Sequence, residues 1–231
     1  MPTSADSLRS EYALAAERMA NRVLDALTGA GGTVVWRDPL ALPELAAVRI
    51  LGVDLYAPQL LHAQPPDART AQVMKESYLA FPLADPPPDA VRSWREWSIR
   101  TMSSRAGVVL PGRDTGTPRE LPARSTWQQW SLSMAQLASL AVPGLESPLH
   151  GEVRENPLML GRGASRAMLR RDYRTAARLT RWLAWLHHVQ VPVPLEIGAL
   201  VVRLGQVAGG SALVDLDRTL AQRMLEGHVD A

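Results

Sequence analysis

The chain has 231 residues, of which 46% are hydrophobic and 21% are charged, and its net charge is +2. These values are typical of a globular protein and exclude a disordered chain, which has fewer apolar residues and a larger net charge. The absence of cysteine excludes disulfides, zinc–thiolate and iron–sulfur sites and a cysteine nucleophile. No apolar run is long enough to span a membrane, and the N-terminus has no signal-peptide pattern. We therefore expect a cytoplasmic protein that does not contact membranes.

The first half of the chain has the apolar spacing of helices. The predicted helices here cover residues 4–28, 42–51, 67–80 and 89–105. Two β-prone runs, residues 33–37 and 108–110, are the candidates for a pair of short strands. The proline-rich segment 82–88 is predicted to be a stiff connector between helices.

The segment 107–124 separates the two halves of the chain. It contains three glycines and three prolines, a composition that indicates a long exposed loop. We predict a helical subdomain at 1–106 and another at 125–231, joined by this loop. A single continuous domain is the alternative.

The second half of the chain is almost wholly helical in its pattern. The predicted helices cover residues 125–141, 156–170, 172–188, 194–208 and 211–227. The fold class predicted for the whole chain is all-α: an irregular bundle of eight to nine helices, at most two short strands and a C-terminal helical-hairpin region.

One short segment resembles a known family. Asp172-Tyr173, followed by Ala176, is similar to the turn inside a tetratricopeptide repeat, where such a pattern joins two antiparallel helices. The resemblance implies a helical hairpin with Asp172 as the N-cap of its second helix. The repeat's period of about 34 residues does not recur in the chain, so a solenoid is not predicted.

Motifs that carry catalytic chemistry are weak in this sequence. Asp215, Asp217 and Thr219 resemble the core of the haloacid-dehalogenase phosphatases, but the same residues fit a C-terminal helix that follows Ser211. The segment Gly161–Ser165 could hold an anion on backbone N–H groups if it opened a helix. His150 and Glu152 are expected in a loop. We predict no catalytic residue, no metal site and no cofactor.

Six of the seven tryptophans form three pairs with a spacing of three residues, which places both rings of a pair on one side of a helix. The pairs are Trp94/Trp97, Trp127/Trp130 and Trp182/Trp185. Because the chain has only one phenylalanine, core packing is the favoured interpretation. An aromatic interface is the alternative, since tryptophan and arginine are enriched in binding hot spots.

Arginines cluster in residues 162–181, which contain seven of them and a single acid, Asp172. On a helical wheel for residues 172–188, Trp185 lies among the arginines and opposite the leucines. Either a neighbouring helix covers this face or it is a binding surface. The predicted binding residues for an acidic partner or a nucleic acid are Arg162, Arg166, Arg170, Arg171, Arg174, Arg178, Arg181 and Trp185.

These observations favour a non-catalytic subunit that mediates protein interaction or assembly within a larger complex, with a protein partner or a second copy of itself. The alternative is a nucleic-acid-binding accessory subunit that uses the arginine-rich hairpin 162–185. An enzyme whose helical active site matches no motif is the third interpretation.

Overall fold

The structure, a computed structural model, describes residues 4–29, 32–82, 89–114 and 116–227. The chain divides into two compact units, Met1–Gly116 and Thr117–Ala231. The break lies inside the segment 107–124. Most of this segment is exposed, although Leu110 and Pro122 are buried.

The first unit is built from five α-helices and one 3-10 helix in its described part. They are α1 (Ser4–Thr28), α2 (Leu42–Leu51), a 3-10 helix (Gly52–Tyr56), α3 (Ala57–Leu61), α4 (Ala68–Ala80) and α5 (Ala90–Arg105). Helix α2 packs against both α1 and α4, and α4 packs against α5. Asp67 and Asp89 cap α4 and α5, because each side chain accepts a hydrogen bond from a backbone N–H of the first turn.

The second unit is built from six α-helices and one 3-10 helix in its described part. They are α6 (Trp127–Gln136), a 3-10 helix (Ala138–Leu140), α7 (Pro148–Glu155), α8 (Pro157–Leu169), α9 (Tyr173–His188), α10 (Ile197–Val207) and α11 (Ala212–Glu226). Helix α9 is central, because α6, α8, α10 and α11 all pack against it. Ten of the eleven residues from Ala176 to Leu186 in α9 are buried, and the eleventh, Arg178, is half-buried.

The all-α prediction is confirmed, but two of its details are wrong. No strand forms in the described residues: 33–37 and 108–110 are irregular backbone. The described chain also has eleven α-helices rather than eight or nine. The two unpredicted helices are α3 and α7, and each carries a proline in its first turn, where the missing N–H removes no helical hydrogen bond. Of the predicted connector at 82–88, only Pro82 lies among the described residues.

Two glycines inside α8 let neighbouring segments approach closely. A Cβ atom on Gly161 would lie 2.6 Å from Pro194, and one on Gly163 would lie 2.6 Å from Ser131 of α6. Both glycines are inside α8, where backbone N–H groups bond within the helix. The anion cradle that the sequence allowed at Gly161–Ser165 is therefore wrong, and these glycines serve packing instead.

Gly163→Ala is expected to destabilise the second unit by about 1–3 kcal/mol, because the new methyl group overlaps Ser131. The matched control is Gly151→Ala in α7, where a Cβ meets nothing within 4 Å. That variant is expected to gain up to about 1 kcal/mol from helix propensity. Chemical denaturation of both variants measures the difference, and equal effects at the two sites would contradict the close approach.

Candidate functional site

The predicted hairpin is confirmed and it sets the position of the arginines. Helix α8 ends at Leu169, and α9 begins at Tyr173 after a turn in which Arg171 has a φ of 59°. Asp172 caps α9, since its carboxylate accepts a hydrogen bond of 3.1 Å from the backbone N–H of Thr175. The turn therefore presents Arg170 and Arg171 at the end of the hairpin.

Five of the seven arginines are exposed: Arg162, Arg166, Arg170, Arg171 and Arg174. The first three are spaced by four residues, so they lie along one side of α8 and its C-terminal end. Within the described part of the chain, no carboxylate forms an ion pair with Arg162, Arg166, Arg170 or Arg171. Their positive charge is available on the surface of this unit.

The other two arginines turn towards α11. Arg178 is half-buried, and its Nε lies 3.7 Å from the Asp217 carboxylate. Arg181 is fully buried; it donates hydrogen bonds to Asp217 at 3.1 Å, to the carbonyl of Ala141 at 3.0 Å and to the carbonyl of Ser139 at 3.3 Å. Arg181 therefore does not lie on the surface with the exposed arginines, and its contacts give it a structural role.

Trp185 is also fully buried. Its ring centroid lies 4.7 Å from that of His150, and the guanidinium of Arg154 lies 4.9 Å from it. Both of these residues belong to α7, one of the two helices that the sequence pattern did not predict. Neighbouring helices therefore cover this face of α9 at Arg181 and Trp185, through α11 and α7, whereas Arg174 near the start of the helix is exposed.

The tryptophan pairs are mainly core. Trp94, Trp130, Trp182 and Trp185 are fully buried, whereas Trp97 and Trp127 are half-buried. Trp182 donates a 2.8 Å hydrogen bond to the carbonyl of Met134 at the end of α6. Trp127 is the member of these pairs that reaches the arginine side of the second unit, where it lies 5.8 Å from the Arg166 guanidinium.

His150 lies in α7 rather than in a loop, which corrects the sequence prediction. Its Nε2 donates to the Leu140 carbonyl at 3.0 Å, because a carbonyl only accepts, and its Nδ1 accepts from the Ser147 hydroxyl at 2.9 Å. Burial lowers the pKa of His150 below its ordinary value of 6.5. Nearby Glu146 and Arg154 act in opposite directions on this pKa. The ring is thus a neutral part of the core.

The buried, neutral His150 predicts a pH-dependent stability for the second unit. In the unfolded chain the His150 side chain binds a proton below about pH 6.5, whereas in the folded protein burial disfavours protonation of its ring. The contribution of His150 to the free energy of unfolding is therefore fully present above that pH. The free energy of unfolding decreases as the pH is lowered below it, by at most about 1.4 kcal/mol per pH unit. Native-state hydrogen exchange of the α9 amides from neutral to mildly acidic pH measures this slope. His150→Gln should flatten it and the exposed His62→Gln should not; an unchanged slope in His150→Gln would contradict the prediction.

Two clefts flank α8, and Arg166 lines both of them. The first has a volume of about 460 Å³, and its lining includes Gln128, Gln129, Arg170 and Thr175. The second has a volume of about 480 Å³. Its lining is mainly apolar and includes Trp127, Leu158, Leu169, Pro194 and Leu195. We name these the polar cleft and the apolar cleft.

Leucines lie on the same exposed side of α8 as the arginines. Leu158 is 52% exposed and Leu169 is 86% exposed. We define the α8 face as Leu158, Arg162, Ser165, Arg166, Leu169 and Arg170. The helical spacing of these residues in the sequence is a signal for this face. The spacing of its leucines, however, also fits a helix whose leucines face the core, so the sequence does not show that they are exposed.

A second polar cluster lies in the first unit, and the sequence pattern did not predict it. Glu96 of α5 is buried and accepts hydrogen bonds from the Tyr78 hydroxyl at 2.7 Å and from Arg100 at 2.6 Å. The Arg49 guanidinium lies 3.6 Å from the Tyr78 ring centroid. Burial raises the pKa of Tyr78, which keeps its hydroxyl protonated as a donor. The cluster ties α2, α4 and α5 together.

No protein-family model, curated protein or solved structure matches the chain. Within the described ranges, no helix is long and apolar enough to cross a membrane. The same ranges contain no group of three or more histidine, aspartate or glutamate side chains placed to hold a metal ion. The exposed arginines of the α8 face and the two clefts beside it define the candidate site.

Proposed function

We propose that this protein is a non-catalytic interaction module that binds an acidic segment of a partner protein on the α8 face. The observation that carries the proposal is the exposure of Arg162, Arg166 and Arg170 without ion pairs in the described chain. Unneutralised positive charge favours an acidic partner, because complementary charge accelerates association and suppresses wrong partners.

Exposed leucines on the same face favour a protein over a nucleic acid. Leu158 and Leu169 lose their contact with water only if a partner offers apolar surface. Protein interfaces combine arginine and aromatic residues with an apolar centre, whereas a phosphate backbone offers charge alone. A partner segment that carries both acidic and apolar side chains satisfies both features of the face.

The test is selection from a random peptide library against the immobilised full-length chain. We expect enrichment of peptides that combine acidic with large apolar residues. The strongest of these, synthesised and labelled, should lose at least about tenfold in affinity when Arg162, Arg166 and Arg170 are all replaced by alanine, the size of a hot-spot effect. Fluorescence anisotropy measures the affinity.

The matched control replaces three other exposed arginines, Arg113, Arg119 and Arg203, with alanine. It removes the same charge and should leave affinity within about twofold if the face is specific. An equal loss in both triple variants would overturn the proposal, as would a selection without enriched peptides.

The same variants test the nucleic-acid alternative with a DNA duplex. Duplex binding through the arginines would weaken with salt by about 0.9 log units per phosphate contact and per log unit of salt. Tight, salt-dependent duplex binding that the α8 triple variant abolishes would replace the acidic-protein proposal by the nucleic-acid one. We expect only weak duplex binding, equal in the two triple variants.

A further inference from the structure

The apolar and the polar cleft lie side by side on one helix. Gly161, Ser165 and Leu169 of α8 line the apolar cleft, and Gly163, Ala167 and Arg170 line the polar one. Arg166 lines both, and its guanidinium lies 5.8 Å from the Trp127 ring. A cation at that distance is attracted to the aromatic face, which holds the charge at the border of the two clefts.

The two clefts differ in the chemistry that they accept. The apolar cleft offers an indole ring, leucines and a proline, surfaces that gain most from an aliphatic or aromatic side chain. The polar cleft also has apolar lining, from Leu132, Ala167 and Leu179, and it differs from the apolar cleft by the guanidinium of Arg170 and the amides of Gln128 and Gln129. Guanidinium groups bind carboxylates with two parallel hydrogen bonds. Asp172 is the only acidic residue in the described lining, and it already caps α9.

We infer that the partner segment carries a large apolar side chain next to acidic ones, and that it inserts the apolar side chain into the apolar cleft while its carboxylates contact Arg166 and Arg170 at the polar cleft. This inference rests on the proposed function and specifies its ligand. The volumes of about 480 and 460 Å³ lie within the range of about 300–1,000 Å³ found for binding pockets.

A peptide fits this site better than a small acidic metabolite. Leu158 and Leu169 are at least half exposed beside the apolar cleft, and a small molecule inside a cleft would leave them in water. A polypeptide segment that crosses α8 from one cleft to the other would cover both leucines and neutralise the arginines between them.

The test uses the most enriched peptide from the library selection and two analogues of it. One analogue has alanine in place of the large apolar residue, and the other has glutamine in place of each acidic residue. Two chain variants separate the clefts. Ser165→Phe fills the apolar cleft from a half-buried position, and Arg170→Gln removes the guanidinium that lines the polar cleft alone, while Arg166 stays in place.

We expect each variant to affect only the matching feature of the peptide. Ser165→Phe should weaken the parent peptide by at least about tenfold and leave the affinity of the alanine analogue unchanged. Arg170→Gln should weaken the parent peptide in the same way and leave the affinity of the glutamine analogue unchanged. Such pairwise coupling identifies which side chains meet. Hydrogen exchange of α9 checks that both variants remain folded.

The failure of this inference is distinguishable from the failure of the proposed function. If the α8 triple variant abolishes binding but Ser165→Phe has no effect on any of the three peptides, the two-cleft mode is overturned and the acidic interface stands. If Ser165→Phe weakens the parent peptide and the alanine analogue equally, the apolar side chain does not occupy that cleft. If the selection enriches no peptide, both proposals are overturned.

Discussion

Replacing Arg181 with methionine is expected to destabilise the second unit by about 3–5 kcal/mol, the cost of removing one partner from a buried ion pair. Methionine fills much of the space but donates no hydrogen bond. The Asp217 carboxylate and the carbonyls of Ser139 and Ala141 would each lose a donor in a site with little access to water. Chemical denaturation, with hydrogen exchange of the α9 amides to assign the loss to this unit, measures the effect.

Arg178→Met is the matched control, because it removes a second arginine that pairs with the same carboxylate. The Arg178 side chain is 30% exposed and lies 3.7 Å from Asp217, so its loss should cost about 1 kcal/mol or less. The double variant Arg181→Met with Asp217→Leu should recover part of the loss, since no unpaired charge remains buried. Equal costs for Arg178→Met and Arg181→Met would show that the buried network is not what stabilises α9.

Leu183→Ala is expected to cost about 2–5 kcal/mol, the range for truncation of a fully buried leucine. Leu183 is fully buried in the central helix α9, so the truncation leaves a cavity that surrounding helices must fill. The control Leu169→Ala removes the same atoms from a side chain that is 86% exposed and should change stability by about 0.5 kcal/mol or less. A thermal midpoint that Leu183→Ala leaves unchanged would contradict the central position of α9.

The arginines of the α8–α9 hairpin differ in burial, so only the structure shows which of them can be replaced to test binding without disturbing the core. Arg174, Arg178 and Arg181 follow one side of α9 in the sequence pattern, yet Arg174 is exposed, Arg178 is half-buried and Arg181 is fully buried. A triple variant of these three would mix a surface effect with the loss of a core ion pair. The proposed binding face is therefore tested on α8, whose arginines point away from the core.

The sequence by itself determined most of the helices of this protein. Apolar spacing located nine helices, and cap residues such as Asp172 placed several helix starts within a few residues, because capping and periodicity are local properties of the chain. The turn between α8 and α9 was expected from its resemblance to the tetratricopeptide turn and from Asp172 as a cap residue. Composition also excluded cysteine chemistry without any structure.

Only the tertiary structure decided which polar residues are buried. The positions of Arg181, His150 and Trp185 depend on α7 and α11, which pack against one side of α9, and on carbonyls far away in the sequence. A helical wheel places a residue on a face but does not say what covers that face. Helix α7 was not predicted because Pro148 and Gly151 have low helix propensity. Its buried contacts in the folded unit stabilise it instead. The clefts beside α8 likewise arise from segments that meet only in the folded unit.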